Sequence, residues 1–305
     1  MAGWWDQSQS TERCVEKRLV IFENLKVIEA VTLERRISGA SSCIFAEACD
    51  GFKYVVKGME DGSRARIAFR EAFGTSVFAA LGILVPAWRP IYFSNALIEA
   101  HELDCLDKSG TGKRILPGIH FASRFVGEDH RRAYERIPGS WYGRIRNRTD
   151  FWGGFVIDQW LNSSHPRQSL FLSEEDDLEL WALFVSHSGI SIEPESPTVP
   201  LPDACFYPDG RVYPRTNVIS SIDFWIDKIR RNGEEVVQDA LTALHPAWRT
   251  SSIPEFGERV VGRISQLGER VYGALCAEMK GDSMDAVRSV RTSRLHPVGI
   301  SALIR

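Results

Sequence analysis

Lys57 closes a short β-type run, FKYVVK (52–57), and Glu71 lies fourteen residues further on, inside a stretch with helical spacing. A strand lysine braced by a glutamate from the next helix presents a fixed positive charge where phosphate oxygens can meet it. Upstream, Gly39, Ala40, Ser41 and Ser42 join two apolar runs. A turn of such small residues can lay backbone N–H groups over phosphates. These six residues form a candidate nucleotide-binding element.

Other chemistry-bearing groups are more scattered. Asp158 sits on an apolar helical stretch, one turn before the loop that carries His165 and Arg167. The densest acid cluster, SEEDD (173–177), falls at the tip of an expected hairpin and reads as a solvated turn. The histidines show no HExxH spacing, so no transition-metal site is indicated. SGTGKR (109–114) lacks the first-glycine spacing and the following helix of a P-loop.

The elements that must position these groups follow from pattern. Residues 25–58 read as strands, with Asp50-Gly51 as a hairpin turn because both residues tolerate positive φ. Residues 64–83 read as a helix stopped by Gly82, and 84–94 return to strand. Residues 96–117 read as a loop, 118–126 as a strand, 128–137 as a short charged helix and 148–161 as an apolar helix. Two strands around the acidic turn and a Pro-rich coil (193–214) follow, then helices at 220–232, 234–244 and 256–279.

The composition is ordinary globular usage: 305 residues, 44% hydrophobic, 25% charged, net charge −3. There is no basic excess of the kind that drives nucleic-acid binding. Six cysteines without a CxxC pair fit a reducing cytoplasm. The N-terminus does not read as a signal peptide, and no apolar run is long enough for a membrane span.

Read in order, ISGASSCIFAEACDGFKYVVK, the helix bearing Glu71 and ALGILVP resemble the N-lobe of the HipA-like kinase family. GIHFASRFVG resembles its hinge strand, FVIDQWLNSSHPRQSLF its catalytic-loop segment and LWALFVSHSGISI the strand leading to its metal loop. LTALHPAWRTS and the LGERV helix resemble its C-terminal helices, so the likeness spans about residues 25–280. The resemblance implies an α+β, bilobal protein-kinase-like fold. It implies a β-rich nucleotide-binding N-lobe (19–125) and a mainly helical C-lobe (126–280) with its catalytic region at 158–190; by composition, residues 1–18 read as a flexible arm and 281–305 as a flexible basic tail. ATP is the implied cofactor, with Lys57 on its phosphates, Glu71 holding Lys57 and Gly39–Ser42 as the covering turn.

The departures bear on chemistry. Anchored on Trp160 and Arg167-Gln168, the family's catalytic Asp position holds His165 and its Asn position holds Ser163; Ser186 stands where the metal-binding Asp belongs. Phosphoryl transfer uses carboxylates to orient the nucleophile and to hold Mg²⁺. Serine brings no charge, and histidine can take a proton but is a poor Mg²⁺ ligand. The expectation is a pseudokinase or nucleotide-sensing regulatory module that binds ATP, with its use of Mg²⁺ left open and a protein partner or substrate. One alternative is an active serine/threonine kinase with His165 as base and Asp158 as a metal contact, Arg167 being a further catalytic candidate. Another is a scaffold that binds no nucleotide.

Overall fold

A computed structural model describes residues 26–37, 43–57, 64–101, 104–106, 112–114, 116–127, 131–174, 179–191, 206–249 and 253–278. The N-terminal arm (1–18), the Gly39–Ser42 turn, residues 175–177 of the acidic cluster and the basic tail (281–305) lie outside the described residues. In chain order the elements are β1 (Ile28–Ile37), β2 (Cys43–Ala48), β3 (Lys53–Lys57), α1 (Arg64–Ala80), β4 (Trp88–Phe93), α2 (Asn95–Ala100), β5 (Asp104–Leu106), β6 (Gly112–Arg114), β7 (Gly118–Arg124) and β8 (Arg131–Tyr134). Then come α3 (Asp150–Leu161), β9 (Gln168–Glu174), β10 (Trp181–Val185), α4 (Val218–Thr242), α5 (Ile253–Gly262) and α6 (Leu267–Glu278). The architecture is mixed α and β.

Five strands close a barrel in the order β1-β2-β3-β7-β4. All its pairings are antiparallel except β1 with β4, where Ile28 faces Ile91 and Glu29 faces Tyr92. The β2–β3 hairpin turns at Asp50-Gly51, with Gly51 at φ 80. Asp50 secures the turn by accepting from the Phe52 N–H at 3.2 Å and the Tyr54 hydroxyl at 2.7 Å. Strand alternation then divides β3 between two faces. Tyr54 and Val56 fill the barrel with Ile28, Ile44, Ile91 and Phe93, which leaves Lys57 on the other face.

α1 covers that other face. Ala68, Phe69, Ala72, Phe73, Val77 and Phe78 enter a second, larger core with the aromatic and aliphatic residues of α3, α4 and α5. Gly82, at φ 81, ends the helical turn, and Ile83 N–H returns to Phe78 O at 3.0 Å.

Four readings of the sequence need correction. The 128–137 stretch is not a helix: residues 131–134 form β8, which extends the β9–β10 hairpin to three strands. Pairing with β9 overrides the helix preference of its Arg and Ala residues. The expected 96–117 loop contains α2, capped by the Ser94 hydroxyl accepting from Leu97 N–H at 3.1 Å, and the short β5–β6 hairpin. The two helices expected around 220–244 are one, α4, which runs through Asn232-Gly233. There a Cβ on Gly233 would lie 2.8 Å from Ile264 Cδ1 and 3.2 Å from Trp160 Cζ2, so glycine serves close packing and not a turn. The single helix expected over 256–279 is α5 and α6, separated by a 3-10 turn at Arg263–Gln266. Among the described residues no helix is long and apolar enough to cross a membrane.

Candidate functional site

Lys57 ends β3 and Glu71 lies in the second turn of α1. The sequence sets them fourteen residues apart, and the fold brings Lys57 Nζ to 3.2 Å from Glu71 Oε1. Lys57 is 8% exposed and Glu71 1%, so the pair is buried and little screened. The second oxygen of Glu71 is also engaged: the His187 backbone N–H donates to Oε2 at 3.0 Å. One carboxylate therefore joins β3 to the segment after β10.

That segment, residues 186–190, is clamped against α1. Arg70 Nη1 donates to Ser188 O at 3.3 Å. Gly74 lies so near the loop that a Cβ there would sit 2.4 Å from His187 Cβ. The His187 ring packs on Phe78, centroids 4.7 Å apart. Burial, and then the nearby Arg167 and Lys57 charges, hold the His187 imidazole well below its ordinary pKa, so it is neutral. Its Nδ1 lies 3.3 Å from Arg167 Nη1, a donor, which assigns the ring proton to Nε2.

The loop after α3 meets the same segment. Asn162 caps the helix in the left-handed region, φ 53 and ψ 50, and turns the chain away. Arg270 Nη2 of α6 braces it by donating to Asn162 Oδ1 at 3.1 Å. Ser163 bridges Ile190, and Ser164 N–H donates to Gly189 O at 2.9 Å, so the 162–167 and 186–190 segments run side by side. His165 is exposed, with its Cβ and backbone nitrogen against Gly189.

Asp158 and Arg167 form the buried centre of this region. Arg167 Nε donates to Asp158 Oδ2 at 2.8 Å and Nη2 donates to Oδ1, a bidentate pair. Burial raises the Asp158 pKa, and the guanidinium opposes that rise. Arg167 Nη1 also donates to Ser186 O at 3.1 Å and lies 3.4 Å from Val185 O. Ser186 is a non-glycine residue at φ 62, a left-handed conformation that costs about 1 kcal/mol or more.

The sequence-derived site residues thus fall into two linked groups, Lys57–Glu71 and Asp158–Arg167, with Ser186 and His187 between them. His165 stands apart at the surface. Gly39, Ala40, Ser41 and Ser42 are not among the described residues. Arg70, Gly74 and Phe78 are members the sequence reading missed. Gly74 and Phe78 lie about one and two helical turns beyond Glu71 on the same helix, which is the signal that marks them, while Arg70 is its immediate neighbour in sequence.

No protein-family profile matches this sequence, and no curated protein matches it. Among solved structures the chain is similar to the Golgi casein kinase determined with manganese and ADP bound, at 11% identity and a TM-score of 0.44, covering 88% of this chain and 77% of that one. It is similar to HipA of Shewanella oneidensis, from its complex with HipB and operator DNA, at 13% identity and 0.46, covering 79% and 65%. It is similar to the proinflammatory kinase CtkA of Helicobacter pylori at 13% identity and 0.36, covering 87% and 100%.

Proposed function

We propose that this protein has a kinase-like fold, binds ATP through Lys57 and does not transfer its phosphate, acting as a pseudokinase or nucleotide-sensing module toward a protein partner. The observation that carries the reading is the buried Lys57–Glu71 pair. A lysine on the third strand of a five-stranded β unit, held by a glutamate from the helix that follows, is the arrangement by which protein kinases position nucleotide phosphates. The chain order of the later elements agrees. An apolar helix, a loop, a hairpin and a second loop bring 162–167 and 186–190 together beside that pair.

The loss of transfer is supported by where the carboxylates are. Neither 162–168 (NSSHPRQ) nor 185–191 (VSHSGIS) contains one. Both oxygens of Glu71 are bonded, to Lys57 and to the His187 N–H, and both oxygens of Asp158 are bonded to Arg167. The reading implies a divalent cation by analogy with kinases, but the residues present do not fit one. Among the described residues no group of three or more His, Cys, Asp or Glu is placed to hold a metal.

The test is transfer of radiolabelled γ-phosphate, to the protein itself and to generic protein acceptors, with Mg²⁺ or Mn²⁺ supplied. Background incorporation is expected. Incorporation that Lys57→Met abolishes would replace this reading with that of an active serine/threonine kinase.

A further inference from the structure

Arg167 is 2% exposed, and its donors are divided between two parts of the fold. Nε and Nη2 hold the two oxygens of Asp158 on α3. Nη1 reaches Val185 O, Ser186 O and His187 Nδ1 at 3.4, 3.1 and 3.3 Å. The ring of Phe78 lies beneath the guanidinium, 4.6 Å from Cζ. A carboxylate, two backbone carbonyls and a neutral imidazole nitrogen form the kind of donor set that gathers round a divalent cation. Here the same acceptors converge on an organic one.

We propose that the Arg167 guanidinium is a built-in cation, tying the 185–187 segment to the α3 carboxylate as a bound divalent metal would. It thereby keeps the Lys57–Glu71 pair assembled without metal. The bridge is continuous. Arg167 holds residues 185–187, His187 N–H holds Glu71 Oε2, and Glu71 Oε1 holds Lys57. Arg167 is a positioning residue in this scheme, because Lys57 and not Arg167 faces the nucleotide. The proposal rests on the kinase-like reading for the place of this segment beside a nucleotide; the bridge itself rests on the distances.

Arg167→Met tests it, because methionine keeps an apolar stem over Phe78 while removing the charge and freeing every acceptor atom. The probe is Mn²⁺, followed by its solution EPR signal and by thermal melting, with no nucleotide present in any arm. The wild type is expected neither to bind Mn²⁺ at submillimolar concentration nor to change its melting temperature. Arg167→Met should melt lower in chelator, bind Mn²⁺ and recover by about 5 °C or more at saturation. Adding Asp158→Asn to it should abolish both effects. If Arg167→Met is insoluble, refolding with and without Mn²⁺ gives the same information, recovery only with Mn²⁺ being the expected result. A folded Arg167→Met that ignores Mn²⁺, equal refolding failure in both buffers, or a wild type that binds Mn²⁺ as tightly as the variant would overturn the proposal. None of these outcomes bears on ATP binding, which a nucleotide titration tests separately.

Discussion

The Lys57–Glu71 pair should show strong energetic coupling, and the structure sets its size. Removing one partner leaves the other charge buried. At 8% and 1% exposure, neither Lys57 nor Glu71 can turn to water without moving β3 or α1. Breaking a buried pair this way costs about 3–5 kcal/mol. Lys57→Met leaves Glu71 with only the His187 N–H, which compensates part of the charge, so about 3 kcal/mol is expected. Glu71→Gln keeps an oxygen for that N–H and strands the Lys57 ammonium, again costing about 3 kcal/mol. The double variant contains neither charge and should cost little more than either single change. The coupling energy is then about 2–3 kcal/mol, well above the few tenths seen between independent sites. Urea unfolding of the four proteins measures it from the midpoints, provided the m-values agree. A coupling below about 0.5 kcal/mol would mean that the two side chains do not form one buried pair, and the proposed nucleotide-binding element would lose its physical basis.

Three further outcomes follow from particular contacts. Gly74→Ala should destabilise by about 1–3 kcal/mol despite alanine's better helix propensity, because its Cβ would lie 2.4 Å from His187 Cβ; a stabilised variant in urea melts would show that the loop can yield there. Asp150 is held up at about 6 by burial, against an ordinary 3.8, with the Asn147 amide bond only partly opposing this. The native state therefore binds the extra proton between those values, so this group's contribution is most favourable below pH 4 and is lost as pH rises through 6. Asp150→Asn should then stabilise the protein by about 2 kcal/mol at pH 7–8 and by little at pH 4, since the helix N-terminus offsets some of the full penalty; a gain that shrinks as pH rises would contradict the assignment. Ser186→Asp and His165→Asp, alone, should leave phosphate incorporation at background, because each restores one acid and Arg167 still occupies Asp158; substantial transfer by either single variant would show that one carboxylate is enough.

Much of the β unit was legible because it is encoded locally. Asp50-Gly51 names its own turn, β2 and β3 alternate, Gly82 stops α1, and Lys57 and Glu71 are fixed to each other by the rigid elements on which they ride. The Asp158–Arg167 pair was only half visible. Both residues stood out, but a left-handed Asn162 lies between them, and the strand and helix periods that relate other positions do not extend through such a turn. The Arg167 contacts to residues 185–187 depend on β9 and β10 pairing, a long-range event with no local signature. The same cause hid β8, whose sequence favours a helix until β9 is beside it. At Asn232-Gly233 the local signal pointed the wrong way. The dipeptide reads as a turn, whereas the glycine is there because Trp160 and Ile264 leave no room for a side chain.

The central claim is that Lys57 binds nucleotide phosphate and that the metal is dispensable. A calorimetric titration of ATP into the wild type and Lys57→Met, each in excess EDTA and again in excess Mg²⁺, tests it most directly. The account predicts saturable binding by the wild type, within about threefold in the two buffers, and none by Lys57→Met. Binding by the wild type that vanishes in EDTA, or equal binding by Lys57→Met, would contradict it.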